Sequence, residues 1–93
     1  MYHVLKRDGS KMEFDISKIS AAMIKAFEAV GKKYDPSVIN LLALQVTSDF
    51  ESKIKNDLIS VEDIQDCVEN VLIQAGYSDV AKAYILYRRQ HEK

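Results

Sequence analysis

Between Asp35 and Ile54 the chain places an apolar residue at almost every third or fourth position: Val38, Ile39, Leu42, Val46, Phe50 and Ile54. At 3.6 residues per turn these side chains fall on one stripe, so the segment reads as a helix that must bury a face. Asp35-Pro36 marks its start, a capping residue followed by proline at the first helical position, where no amide partner is lost. Such a helix draws most of its stability from packing. The rest of the chain must supply its partners.

Three further segments do so. Ile16, Ile19, Met23, Ala26, Phe27 and Val30 recur at helical spacing after a capping Asp15, and Gly31 ends the run. Ser60-Val61-Glu62-Asp63 has the serine–acid spacing of a capping box, and Ile64, Val68, Val71 and Leu72 follow it up to Gly76. A last segment opens near Ser78-Asp79 and carries Val80, Tyr84, Ile85 and Tyr87 before a polar end. The predicted helices span about 16–30, 36–56, 61–75 and 79–91.

The first fourteen residues read differently. Asp8-Gly9 separates two short segments containing β-formers, and both residues tolerate the positive φ of a two-residue type I′ turn. Alternation puts Val4 and Tyr2 on one face of a hairpin over residues 2–14, with Met12 and Phe14 opposite them. An isolated hairpin is marginal in water, so it must lie on the helices. The predicted fold is α+β, mainly helical: an N-terminal β-hairpin on a four-helix bundle, one domain over residues 1–93.

Composition narrows the class. At 47% hydrophobic and 29% charged residues the chain is globular in character. Cys67 is the only cysteine, which excludes an internal disulfide and a cysteine-built zinc site. The first residues lack the apolar run of a signal peptide, and no stretch reaches the roughly 18–20 apolar residues of a membrane span. A soluble cytoplasmic protein with no membrane partner is expected. Net charge is −1, but residues 1–34 carry seven basic and four acidic side chains, residues 35–79 two and nine, and residues 80–93 four and one. If the chain ends meet, they form a basic site able to hold an anion. The competing account is three solvated faces of different sign.

Catalytic signatures are scarce. His3 and His91 lie at opposite ends, and Glu62-Asp63 falls in a first helical turn, where carboxylates favour the helix dipole. Neither GxxxxGK[ST] nor GxGxxG occurs, which excludes the familiar glycine-rich phosphate loops. The notable cations are Lys6 and Arg7 before the turn, and Lys18 in the first turn of helix one, where a positive charge opposes the dipole. Tyr87-Arg88-Arg89 sets an aromatic ring beside two guanidiniums, able to stack on a base and grip phosphate oxygens in pairs. Solvated surface cations, and basic residues favouring a helix C-terminus, account for the same side chains without a ligand.

Four blocks in order, Val4-x-Lys6-Arg7-Asp8-Gly9, Phe14-Asp15-x-x-Lys18-Ile19, Val61-x-Asp63-Ile64-Gln65 with Val68-Glu69, and Ala81-x-Ala83-Tyr84-Ile85-x-Tyr87-Arg88, resemble the ATP-cone of ribonucleotide reductases. The last two blocks look most like the N-terminal domain of the anaerobic (class III) ribonucleoside-triphosphate reductases. The resemblance implies a hairpin lid with ATP or dATP held between it and the bundle, and Mg2+ able to accompany the triphosphate. It implies that Lys6, Arg7, Arg88 and Arg89 face phosphates and that Lys18 lies near the nucleotide. Val4, Phe14, Ile19 and Ile64 would line an adenine slot, Asp15 would read the base edge, and Val61 and Gln65 would face the nucleotide from helix three. Two departures stand out. Met12 occupies a position where many cones carry glutamate, with Glu13 beside it, and Val61 and Gln65 replace more polar residues of some class I cones.

The implied function is allosteric and not catalytic: sensing ATP against dATP for a reductase, with the parent's catalytic domain as partner and nucleotide-dependent self-association as the transmitted response. The family's catalytic cysteines and glycyl-radical segment do not occur, and the chain stops in helical sequence, as a piece of a longer protein would. Two alternatives remain open. One is the cone of a nucleotide-responsive transcriptional repressor of reductase genes, which in that family follows a four-cysteine zinc ribbon absent here; direct nucleic-acid contact is therefore not expected. The other is a helical interaction module without ligand.

Overall fold

Each of the first three helices begins where a short polar side chain takes an otherwise unpaired amide. In the computed structural model, which describes residues 2–90, Asp15 Oδ1 accepts from the Ser17 amide at 3.0 Å and starts helix α1 (Ile16–Ala29). Asp35 Oδ1 accepts from the Ser37 amide at 2.9 Å and starts α2 (Pro36–Phe50). Ser60 Oγ accepts from the Asp63 amide at 3.1 Å and starts α3 (Val61–Gln74). The fourth helix, α4, is Ser78–Gln90; its predicted end at His91 lies outside the described residues. Both α1 and α3 stop in the same paired-amide pattern, Lys32 to the Phe27 carbonyl at 3.0 Å and Tyr77 to that of Leu72 at 2.8 Å.

The helices pack in a ring, α1 on α2 and α4, and α3 on α2 and α4. Their predicted apolar stripes meet inside it. Met23, Phe27, Ile39, Val46, Phe50, Val68, Leu72 and Val80 are almost wholly removed from water, each of the larger ones contributing about 1.5–3 kcal/mol. The mainly helical α+β architecture is as the sequence predicts.

Two local readings are corrected. The second predicted helix does not reach residue 56: α2 ends at Phe50 and a single 3-10 turn, Glu51–Lys53, follows. Asn56 and Asp57 then take φ of 53° and 60°, and Lys55 and Leu58 exchange two backbone hydrogen bonds of 2.9 Å. That is a two-residue type I′ turn. Ile54 keeps the helical spacing but packs against the core from outside the helix. The N-terminal turn, in contrast, is not type I′. Only Gly9 has positive φ there, at 87°. The Gly9 amide donates to the Lys6 carbonyl at 3.0 Å and the Lys6 amide to the Ser10 carbonyl at 2.8 Å, a three-residue loop closed by a glycine bulge.

The Asn56-Asp57 turn feeds an unpredicted strand. β1 (His3–Leu5) is central in a three-stranded sheet, with β2 (Lys11–Glu13) antiparallel on one side and β3 (Leu58–Ser60) parallel on the other. Met12, Val4 and Ile59 stand in one cross-strand row, with Val4 and Ile59 buried. Beside them Tyr2, Phe14 and Phe50 form an aromatic cluster, with ring centroids 5.0–6.0 Å apart. The cluster fastens the hairpin to the end of α2.

Candidate functional site

The sheet and the starts of α1 and α3 meet the end of α4 around a cleft of about 220 Å³. Val4 reaches it from the central strand, and Phe14 from the exit of the hairpin, backed by Phe50 at 5.5 Å. Ile19 and Ala22 face it from α1, Val61, Ile64 and Gln65 from α3, and Tyr84 and Tyr87 from α4. Met12, Glu13, Asp15 and Lys18 complete the wall. The lining is thus largely apolar, and its charged members, Glu13, Asp15 and Lys18, come from the hairpin and the start of α1.

Local chemistry fixes several of these groups. Asp15 is held below the usual carboxylate range by hydrogen bonds from the Ser17 hydroxyl and amide, so it stays ionised. The exposed Lys18 ammonium lies 3.9 Å from Met12 Sδ. Burial pushes the Tyr84 phenol up, which keeps it neutral. The Tyr84 and Tyr87 rings stack with centroids 6.3 Å apart, and the Lys25 ammonium sits 5.7 Å from the Tyr87 ring centroid. Met12 and Glu13 both line the cleft, so the departure from the cone pattern falls on the cleft itself.

Of the predicted site residues, Val4, Phe14, Asp15, Lys18, Ile19, Val61, Ile64, Gln65 and Tyr87 come together here. Arg7 stands at the rim: its Nη2 donates to Gln65 Oε1 at 3.3 Å and its Nε lies 3.4 Å from Glu62 Oε1. Lys6, Arg88 and Arg89 do not line the cleft. Lys6 and Arg89 are exposed. Arg88 is only 15% exposed and pairs with Glu69 and with Asp66, the latter at 3.2 Å. Burial pulls its guanidinium down, but those two carboxylates outweigh it and leave the group raised.

Ala22 and Tyr84 line the cleft but were not among the site residues expected from sequence. Helical spacing held the signal, since Ala22 is one turn beyond Ile19 and Tyr84 one turn before Tyr87. A larger groove of about 400 Å³ runs between α1 and α4, among Lys25, Ala29, Asp79, Lys82 and Leu86. It is a trough between two helices and takes in only Tyr87 of the predicted set. The smaller cleft is the candidate site because strand and helix elements distant in sequence converge there and bring the predicted residues together.

Among the described residues no helix is long and apolar enough to cross a membrane. The comparisons with known proteins point one way. The chain is 45% identical over 91 residues to the ribonucleoside-diphosphate reductase subunit alpha of Chlamydia pneumoniae, covering 91% of this chain and 9% of that protein. It is 40% identical over 87 residues to a vitamin B12-dependent ribonucleoside-diphosphate reductase of Mycobacterium tuberculosis, covering 94% and 12%. With the anaerobic ribonucleoside-triphosphate reductase of Salmonella typhimurium it shares 34% over 90 residues, covering 97% and 12%. The chain therefore spans about a tenth of the length of these relatives. The ATP cone domain model matches residues 2–93, and the chain belongs to that family.

Proposed function

We propose that this chain is an allosteric nucleotide-sensing domain that binds ATP or dATP and sets the overall activity of a ribonucleotide reductase. The observation that carries the reading is the cleft: an apolar slot of Val4, Phe14, Ile19 and Ile64 with Lys18 in its wall and Arg7 at its rim. A base fits the apolar part, and the cations suit the phosphates. Membership of the ATP cone family and the reductase relatives support the same reading. Val61 and Gln65 would face the nucleotide, Tyr87 would offer a ring to the base, and Asp15 an ionised carboxylate to its edge. Lys6, Arg88 and Arg89 would reach phosphates by side-chain movement. Mg2+ would accompany the triphosphate as part of the ligand.

ATP and dATP differ by one hydroxyl, and a ligand shifts an equilibrium only through different affinity for its two states. The domain would therefore transmit that difference to the reductase's catalytic part, or to a second copy of itself, through the placement of the hairpin and α3. Calorimetric titration with ATP, dATP and adenosine tests the reading. Saturable binding of both nucleotides without phosphate release is expected. Absence of binding would overturn it, and so would steady ATP hydrolysis abolished by a cleft mutation.

A further inference from the structure

Glu62, Gln65, Asp66 and Glu69 lie along one stripe of α3, each three or four residues from the next turn's members. Arg7 from the hairpin takes the first two, and Arg88 from α4 takes the last two. The stripe borders the cleft, because Gln65 lines it and the neighbouring Val61 and Ile64 form its α3 wall. Arg88 follows Tyr87 and lies one turn beyond Tyr84, both cleft residues. Each guanidinium of the row thus already has a carboxylate partner, Arg7 in Glu62 and Arg88 in Asp66 and Glu69.

We propose that Glu62, Asp66 and Glu69 are affinity-setting residues of the cleft: they hold Arg7 and Arg88 in the ligand-free protein, and a polyphosphate binds by taking those guanidiniums from them. The inference deepens the nucleotide-binding reading and rests on it. An arginine pairs with a carboxylate or a phosphate through the same planar fork, so exchange needs no new geometry at the guanidinium. The carboxylates left behind are then like charges beside the ligand, which further raises the threshold for binding. Glu69 is the strongest holder. Its side chain and that of Arg88 are 19% and 15% exposed, while Glu62 and Arg7 are 57% and 36% exposed and their pair is more screened.

The test titrates the 93-residue chain with ATP, inorganic tripolyphosphate and adenosine. Glu69→Gln and Asp66→Asn keep side-chain shape and remove charge. Both should bind ATP and tripolyphosphate roughly three- to tenfold more tightly, the coupling expected of groups sharing one partner, with adenosine binding unchanged. In an Arg88→Ala background the gain from Glu69→Gln should vanish. The exposed pair supplies a second arm should Glu69→Gln fail to fold: Glu62→Gln should tighten binding, and Arg7→Ala should abolish that gain. Unchanged or weaker binding in Glu69→Gln would mean that Glu69 positions Arg88 for the ligand and would overturn the proposal. A gain that survives Arg88→Ala would reduce the effect to a general field and overturn it equally. If the wild-type chain binds neither ATP nor adenosine, the nucleotide reading itself fails, and that result is distinct from either of these.

Discussion

Arg7 and Arg88, from opposite ends of the chain, reach neighbouring residues of α3: Arg7 donates to Gln65 and Arg88 to Asp66. If both also contact one triphosphate, Arg7→Ala and Arg88→Ala should each lower ATP affinity by roughly 1.5–3 kcal/mol, the range for hydrogen bonds to charged groups. Their double mutant should be non-additive. Lys53→Ala, in the exposed 3-10 turn, should change little. Arg88→Ala should also lower Tm, because it strands the half-buried Glu69. Calorimetry on the four proteins checks the affinities, and equal binding by all of them would refute a shared site.

Gly9→Val tests the hairpin. A Cβ at Gly9 would meet nothing within 4 Å, so the whole cost arises from φ of 87°. About 1–3 kcal/mol is expected. Since the strained loop carries Arg7 and is remote from the bundle core, nucleotide affinity should fall more than helix stability. Comparison of titrations with circular-dichroism melts separates the two.

The Asn56-Asp57 turn is strained in a way that glycine would relieve. Asp57→Gly should raise stability by up to about 1 kcal/mol, because glycine adopts positive φ without a Cβ penalty. Asn56→Val should lower it. A lower melting temperature in Asp57→Gly would show that the turn geometry is not limiting.

Acid should weaken the helix starts. Asp15 and Asp35 are both held below the ordinary carboxylate range, Asp15 first by the Ser17 hydroxyl and Asp35 first by the Ser37 amide. A lowered folded-state pKa contributes stability that is complete above the unfolded value of about 3.9 and is lost as pH falls through the folded one. Asn also caps but does not titrate. Asp35→Asn should therefore melt near wild type at pH 7 and lose less stability between about pH 4 and pH 2. Parallel acid limbs in the two melting series would contradict the assignment.

Cys67 is 4% exposed, and burial pushes its thiol up. Thiol reagents should label it only as fast as the bundle opens, so stabilising conditions should slow the reaction in proportion. Rapid labelling of the native protein would show that α3 opens locally.

The helices were legible because their ends carry local chemistry: Asp15, Asp35-Pro36 and Ser60 each cap as sequence predicts. The apolar wall of the cleft was legible too, since Ile19 and Ile64 belong to the same stripes that build the core. β3 was not. Ile54 continues the spacing of Phe50 closely enough to mask the end of α2, and Leu58-Ile59-Ser60 is too short to show alternation. A parallel pairing with β1 leaves no local trace. Nor did Arg88 reveal its partners, because Asp66 and Glu69 become its neighbours only through the rotation of α4 against α3.

The parallel pairing of β1 with β3 has a consequence for how the molecule assembles. His3 joins Leu58 and Leu5 joins Ser60 across more than half the chain, so this contact closes a long loop for a few hydrogen bonds. The helices, rich in near-neighbour contacts, should form earlier. The sheet, and with it the cleft, should be completed last and should open first. In hydrogen exchange the amides of β1 should lose protection before those around Met23 and Leu72. A ligand seated in the cleft would then act as a late fastener, drawing the strand home and making the end of folding depend on nucleotide concentration.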